Sequence, residues 1–378
     1  MKANHFDMIV LGVGGMGSAV VHELARRGHR VLGLEQYSLV HDRGSSHGDT
    51  RITRKAYYEH PDYVPLLQRA FERWYQLESA SGKHLLTNTP CLCIGRDQSK
   101  LIRGVMQSAK EHQLDVQYLN CDTLRLQYPQ FCLSPEYVAT LERDAGFLYV
   151  EECVRTHIEQ AQQYGAIIHE QEQVVGWESE GEQVRITTIK DTYHAAKLVI
   201  CGGAWSAKLL QSLNVPLTVM RQILHWIKPQ NAQAFTRDHF PVFIIDQPSG
   251  NFYGFPVINE ASGLKVAQHY GQPEVKHPEE IDWEPNTTDE AAVRAFLSNH
   301  MPDVSGVCTR AKVCMYTLTP DRHFIIDIHP QYRNICFAAG FSGHGFKFAS
   351  VVGEIMADLA ERRVTQLPIN MLRLNRLT

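Results

Sequence analysis

The apolar pattern of the first forty residues alternates between solid runs and helical spacing. Met8 to Leu11 are continuously apolar, Ser18 to Arg27 carry a helical pattern stopped by Gly28, and Val31 to Leu34 form a second run that ends at Glu35. A strand, a helix and a second strand are predicted, in a βα order. Apolar residues at 64, 67, 70, 71, 74 and 77 predict an amphipathic helix over 63–78. Beyond it the pattern predicts a strand over 86–94, a helix over 99–113, a helix over 152–164 and a strand over 166–169. The apolar run Lys197 to Ile200 predicts a strand that enters Cys201-Gly202-Gly203-Ala204-Trp205 and then a helix. Residues 217–272 are rich in strand patterns, at 217–226, 242–246, 251–256 and 264–269, with Pro248-Ser249-Gly250 as a turn. A helix over 288–299, strands over 324–327 and 335–338, and a helix from about Gly345 to Ala360 complete the reading.

A glycine-rich passage from strand to helix therefore stands near the start, the middle and the end of the chain. A discontinuous nucleotide domain with a strand-rich insertion produces that pattern. The expected fold class is α/β (α+β), a Rossmann-like domain carrying an inserted antiparallel-sheet domain. Its expected pieces are 1–85, 145–215 and 320–378, with 86–144 and 216–319 forming the second domain. The chain length of 378 residues agrees with two domains.

Composition narrows the partners. Hydrophobic residues make up 44% and charged residues 21%, as in soluble globular proteins. A net charge of −4 gives no basic field for nucleic acid. No apolar run is long enough for a bilayer, and the chain enters its first strand with no room for a signal peptide. The nine cysteines include no C-x-x-C pair, and Cys91 and Cys93 are spaced poorly for a disulfide or a zinc site. The 19 histidines show no metal motif. A cytoplasmic protein without a metal is expected.

The chemistry starts at the first turn. Gly12 permits the tight turn, Gly14 lets backbone approach a pyrophosphate, and Gly17 lets the helix lie close to the strand. Glu35, about 20 residues on, suits the hydroxyls of a ribose. Taken alone, this fingerprint allows a NAD(P)-dependent dehydrogenase as well as a flavoprotein. Three further clusters stand out: residues 44–54 (Gly-Ser-Ser-His-Gly-Asp-Thr-Arg-Ile-Thr-Arg), 312–317 (Lys-Val-Cys-Met-Tyr-Thr) and 340–347 (Gly-Phe-Ser-Gly-His-Gly-Phe-Lys).

With these clusters and the His-Phe-Ile-Ile-Asp run at 323–327, the sequence resembles the monomeric sarcosine oxidase and N-methyltryptophan oxidase family of covalent flavoproteins. The resemblance spans essentially the whole length and is nearer to the sarcosine oxidases. It implies FAD, bound at Gly12, Gly14, Gly17, Glu35, Gly343 and Lys347 and attached by a thioether from Cys314. It places Arg54 and Lys347 on the substrate carboxylate, where a planar guanidinium grips two oxygens and an ammonium adds a point charge. It sets Arg51 and His47 beside the flavin ring as positive charge. Lys265 is implied over the flavin, activating oxygen. His269 falls on the same side of its strand as Lys265. Tyr253 and Tyr316 are implied as the remaining pocket residues.

The implied reaction is oxidative demethylation of sarcosine or a similar N-methyl amino acid by a monomer, giving the amino acid, formaldehyde and hydrogen peroxide. N-methyltryptophan or a cyclic imino acid such as proline or pipecolate is the alternative substrate, and a flavin-binding protein without turnover is the distant one. Two positions depart from the family pattern: Ser46-His47 in place of paired histidines, and Ile244 where methionine is usual. Both reshape the pocket without removing a reacting group.

Overall fold

A computed structural model describes residues 4–377 and shows a mixed α/β chain built on three sheets. The first sheet has eight strands. His5–Leu11 lies at its middle, with Val31–Leu34 and then Ile167–His169 on one side and Thr192–Ile200 on the other, all parallel. Thr192–Ile200 has two partners on its far edge. Its first half pairs with the antiparallel ribbon Val174–Glu180 and Gln183–Thr188, and its last three residues pair in parallel with Ile335–Ala339. Ile325–Ile328 closes that edge.

The central strands are covered on both faces, which is why they read as unbroken apolar runs. One face carries the helices Gly15–Arg26, Val64–Ser81, Val150–Gln163 and Ala349–Arg362, packed over Val10, Val20, Leu24 and Val352. The other face buries Ile9, Leu11, Leu32, Leu198 and Phe337 beneath the antiparallel ribbon.

The second sheet has nine strands, Glu274–Val275, Thr218–Ile227, Leu264–His269, Gly250–Gly254, Val242–Gln247, Cys91–Arg96, Tyr137–Glu142 and Val116–Leu119 in order, with Cys308–Leu318 also pairing Thr218–Ile227. Its pairings are antiparallel except between Val242–Gln247 and Cys91–Arg96. Its outer face packs a phenylalanine-rich core of Phe131, Phe235, Phe240, Phe243, Phe252 and Phe296. The third sheet is small: Thr50–Thr53, Gly146–Tyr149 and Leu86–Asn88.

Several sequence expectations need correction. The single strand expected over 86–94 is two strands in two sheets, parted at Pro90, which has no N–H to give a ladder. The helix after Gly203 is only a 3₁₀ turn, Gly203–Trp205, and one helical turn, Ser206–Leu209. The terminal helix starts at Ala349, after a 3₁₀ turn at Phe346–Phe348. Among the described residues no helix is long and apolar enough to cross a membrane.

Candidate active site

The second sheet aims its chemistry at one side. Lys265, Ala267 and His269 share a face of Leu264–His269, because side chains alternate along a strand. Cross-strand register extends that face: Trp226 lies opposite Lys265, and Tyr253 opposite Ala267. Stepping by two from Trp226 gives Leu224, Gln222 and Met220; Cys314 lies opposite Gln222 and Tyr316 opposite Met220. Five residues read from the sequence therefore lie on one face: Lys265, His269, Tyr253, Cys314 and Tyr316.

Opposite this face run the segments that carry Arg51 and Lys347. One continuous cavity, about 2020 Å³ of atom-free space including its mouth, joins them. At one end it is lined by residues 11–16 and Glu35, and at the other by Arg54, Tyr253, His269, Tyr316, Gly343 and Lys347, with Arg51 between.

The nucleotide end is built by backbone. Gly12 has φ of +83°, and a Cβ there would meet the Cys201 carbonyl at 2.5 Å. A Cβ on Gly17 would fall on the Gly12 carbonyl, so helix and turn touch only because both residues are glycine. A Cβ at Gly14 would meet nothing within 4 Å: this residue faces open space at the helix N-cap and has no side chain of its own to cap the helix, and Ser46 Oγ accepts from Gly15 N (3.2 Å). Such a helix start favours an anion. Glu35 is buried, and its two oxygens accept from Val13 N (2.9 Å) and Tyr37 N (3.1 Å), which fixes the carboxylate at the cavity wall.

Among the described residues, Thr317 lines the cavity and its buried Oγ1 lacks a protein partner, while the unpartnered His47 Nδ1 and Gln222 Nε2 belong to residues outside the cavity lining. Orphaned buried groups are uncommon and call for a ligand or water. The glycine cradle, the fixed carboxylate and the unpartnered Thr317 hydroxyl on the wall fit a dinucleotide.

The other end of the cavity is strongly charged. Arg54 is 2% exposed and lies just past the strand Thr50–Thr53. Its Nη1 donates to Ala56 O (2.7 Å) and its Nη2 to Glu59 Oε2 (2.9 Å), and its guanidinium stacks on Tyr57 (4.4 Å) and Tyr58 (4.9 Å). Burial pushes the Glu59 carboxyl up, but Arg54, His344 and Lys347 outweigh it and hold the pKa at about 2. Lys347 Nζ donates to His344 O (2.7 Å). Burial and then Arg54 push its pKa down to about 7. His344 accepts or donates at Nδ1 with Tyr57 Oη (2.6 Å). His269 Nδ1 pairs with Tyr316 Oη (3.1 Å), and burial, followed by His344, drops the imidazole to about 3. A Cβ on Gly343, whose φ is +79°, would run into the Tyr316 ring.

Four residues read from the sequence do not line the cavity: Gly17, which packs against the Gly12 carbonyl, and Lys265, His47 and Cys314, which stand behind the wall. Lys265 Nζ donates to Gly48 O (2.6 Å), Thr50 O (2.7 Å) and Thr50 Oγ1 (3.3 Å), and burial then Arg51 push its pKa well down. His47 carries no positive charge, contrary to the sequence expectation. Burial, Arg51 and Lys312 push it to about 3. Arg51 holds the charge at this place, bound to Thr50 O and Ser45 O at 2.9 Å each. Cys314 is 1% exposed; burial raises its thiol pKa while Arg51 and Lys265 pull against it.

Sequence reading missed Tyr58, Glu59 and Gln222. Glu59 had one visible signal, a carboxylate five residues after Arg54. Gln222 had none, because only the register with Cys314 reveals it. Among the described residues no group of three or more His, Cys, Asp or Glu side chains is placed to hold a metal ion.

Comparison with known proteins agrees with this geometry. Residues 7–359 match the family described as FAD dependent oxidoreductase. The monomeric sarcosine oxidase of Streptomyces avermitilis is 41% identical over 97% of this chain and 96% of its own. The N-methyl-L-tryptophan oxidase of Yersinia pestis is 34% identical over 98% and 99%. The solved structure of NikD, described as an unusual amino acid oxidase essential for nikkomycin biosynthesis, superposes with a TM-score of 0.87 at 24% identity, covering 98% of each chain. A glycine cradle, a fixed carboxylate and a full-length sequence match converge, and the chain belongs to the FAD-dependent oxidoreductase family.

Proposed function

We propose that the chain is an FAD-dependent oxidase that demethylates sarcosine or a similar small N-methyl amino acid, releasing the amino acid, formaldehyde and hydrogen peroxide. The observation that carries this reading is the single cavity running from the Gly12–Gly14 turn to the Arg54–Lys347 pair. It is supported by the full-length similarity to monomeric sarcosine oxidases, at 41% identity against 34% for the N-methyl-L-tryptophan oxidase. The family match sets aside the nicotinamide-dependent dehydrogenase that the N-terminal fingerprint alone allowed.

Gly12, Gly14 and Gly17 would hold the pyrophosphate and Glu35 the ribose. Cys314 is the attachment point in this reading, supported by its place on the cavity side of the sheet beside Arg51 and Lys265. When bound, the flavin supplies the two-electron acceptor for the substrate C–H bond and passes the electrons to oxygen. Arg54 and Lys347 hold the substrate carboxylate. Tyr253, Tyr316 and neutral His269 shape the space around the amine. Arg51, Arg54 and Lys347 outnumber the single carboxylate of Glu59. That excess lowers the pKa of a bound ammonium and favours the neutral amine that reacts. Arg51 also stabilises negative charge that develops on the ring. Lys265 acts from behind the wall as a fixed cation source toward oxygen. In the same reading the protein is a monomer, and the first sheet belongs to the 1–85, 145–215 and 320–378 unit.

The test is peroxide release from sarcosine, N-methyltryptophan, proline and pipecolate. Sarcosine is expected to give the highest kcat/KM, and acid-precipitated protein to stay yellow. Peroxide from none of the four overturns the function; a colourless pellet with a yellow supernatant overturns the thioether alone.

A further inference from the structure

We propose that Tyr58 is a specificity residue whose hydroxyl is the third donor to the substrate carboxylate, beside Arg54 and Lys347. The proposal rests on the reading of that pair as the carboxylate grip and extends it to a residue the sequence did not single out.

The first observation is an unused hydroxyl. Five tyrosines surround the substrate end. Tyr57 Oη meets His344 Nδ1, Tyr270 Oη donates to Ser342 O (2.8 Å), and Tyr316 Oη pairs with His269 and contacts Tyr253. Among the described residues Tyr58 Oη makes no hydrogen bond, yet Tyr58 lines the cavity. A tyrosine hydroxyl at a mostly apolar wall ordinarily finds a partner.

The second observation is placement. The Tyr58 ring covers the Arg54 guanidinium, 4.9 Å from ring centre to Cζ. An anion docked at the guanidinium edge comes within reach of the hydroxyl at the ring's end. Arg54 is also incompletely available: Nη2 is engaged by Glu59 and Nη1 by Ala56 O. Lys347 spends one N–H on His344 O. A neutral donor adds to this grip without adding charge. Burial and then Glu59 raise the Tyr58 pKa, so its hydroxyl keeps its proton.

The third observation is rigidity. Glu142 accepts from Lys55 N (2.7 Å) and Ala56 N (3.0 Å), and Ser108 Oγ donates to Tyr57 O (2.5 Å). Helix residue Gly104 lies so close to the Tyr58 backbone that a Cβ there would sit 2.8 Å from Tyr58 Cα. The segment is pinned from both sides, so the hydroxyl is held ready before substrate arrives.

The substrate class that follows is a small N-methyl amino acid with a free carboxylate; an ester or amide offers no anion to the three donors. The test uses the flavin-loaded enzyme and Tyr58→Phe, which keeps the ring over Arg54. Methoxyacetate, an isostere of sarcosine without an oxidisable amine, serves as the binding probe. Tyr58→Phe is expected to raise both the KM for sarcosine and the Kd of methoxyacetate about tenfold, as loss of one hydrogen bond to a charged group does. The kcat is expected to change less than about twofold, because the interaction is made equally before and during reaction. Flavin content and Tm are read first. Tyr58→His, which restores a donor, provides a second variant and is expected to recover part of the affinity. Unchanged KM and Kd in Tyr58→Phe overturn the proposal. If the parent enzyme neither oxidises an N-methyl amino acid nor binds methoxyacetate, the functional reading fails instead, and the two failures are distinguishable.

Discussion

Lys265 spends its ammonium inside the protein. Three acceptors of the 48–50 turn take it, and its charge also lies 4.6 Å from the Phe255 ring centre. The residue holds that turn, and the proposed role is a second one, to supply a cation near the flavin; one substitution separates the two. Lys265→Met is expected to slow flavin reoxidation by oxygen far more than flavin reduction by substrate, read in stopped flow. It is also expected to cost about 2 kcal/mol of stability, since two buried carbonyls lose their donor. Equal slowing of both half-reactions excludes the oxygen role while leaving the structural one. At this scale the family resemblance pointed to Arg54 and Lys347, and the structure lines one cavity with both. The sequence was not legible where the environment decides. Nothing local to His47 says that burial makes it neutral, and nothing in Tyr58 says that a guanidinium lies against it.

Elements were legible in proportion to how fully they are buried. The parallel strands Val31–Leu34, Ile167–His169 and Ile335–Ala339 were located to within a residue, whereas His5–Leu11 and Thr192–Ile200 begin three and five residues before the apolar runs that announce them, in segments that carry polar side chains. The strands Val174–Glu180 and Gln183–Thr188 are half exposed, carry charged residues and escaped notice. Thr50–Thr53 is four residues long and exists through pairing with Gly146–Tyr149, almost a hundred positions away, a contact no local pattern reports. Cys308–Leu318 begins with partly exposed polar positions, so only its Cys-Met-Tyr-Thr end drew attention. The first strand–turn–helix was legible through its glycines, although strand and helix each start three residues earlier than the pattern predicts, and those glycines make a prediction. Gly17→Ala places a methyl on the Gly12 carbonyl and forces helix and turn apart. The variant is expected to be purified with less than about a tenth of the parent's flavin, measured by absorbance, because the anion-binding helix start moves away from the turn. Gly28→Ala is a control for positive φ without close contact, since a Cβ there meets nothing within 4 Å. It is expected to lose stability through backbone strain alone and to keep its flavin. Full flavin in Gly17→Ala would refute the account of that close approach.

At the scale of the whole molecule, the helical layer over the first sheet contains a buried histidine pair that couples stability to pH. His22 on Gly15–Arg26 and His157 on Val150–Gln163 meet at 3.2 Å between Nδ1 atoms, one donating and one accepting. Around them Glu23 ties Arg26, Arg27 and Arg73, and Arg27 reaches Asp358 and Glu361 of the last helix. Burial lowers His22 from 6.5 to about 4 against the pull of Glu23, and burial followed by His22 and Arg73 pushes His157 well below 6.5. Both rings are neutral in the folded protein near pH 7 and mostly neutral in the unfolded chain, so the pH dependence from the pair is small there. Below 6.5 the unfolded chain binds protons that the folded one refuses, and stability falls as pH falls toward about 4. For His22 alone the loss across that window is on the order of 3 kcal/mol. Other buried histidines near the cavity add to the same limb, so the pair is isolated by difference. His22→Leu with His157→Phe is expected to show a smaller fall in unfolding free energy between about pH 7.5 and about pH 4.5 than the parent, by more than about 3 kcal/mol because the His157 share adds to that of His22, in urea titrations of the flavin-loaded protein. An identical fall in both proteins would mean that the two rings already titrate in the fold, and that acid reaches the helical layer before the chain unfolds.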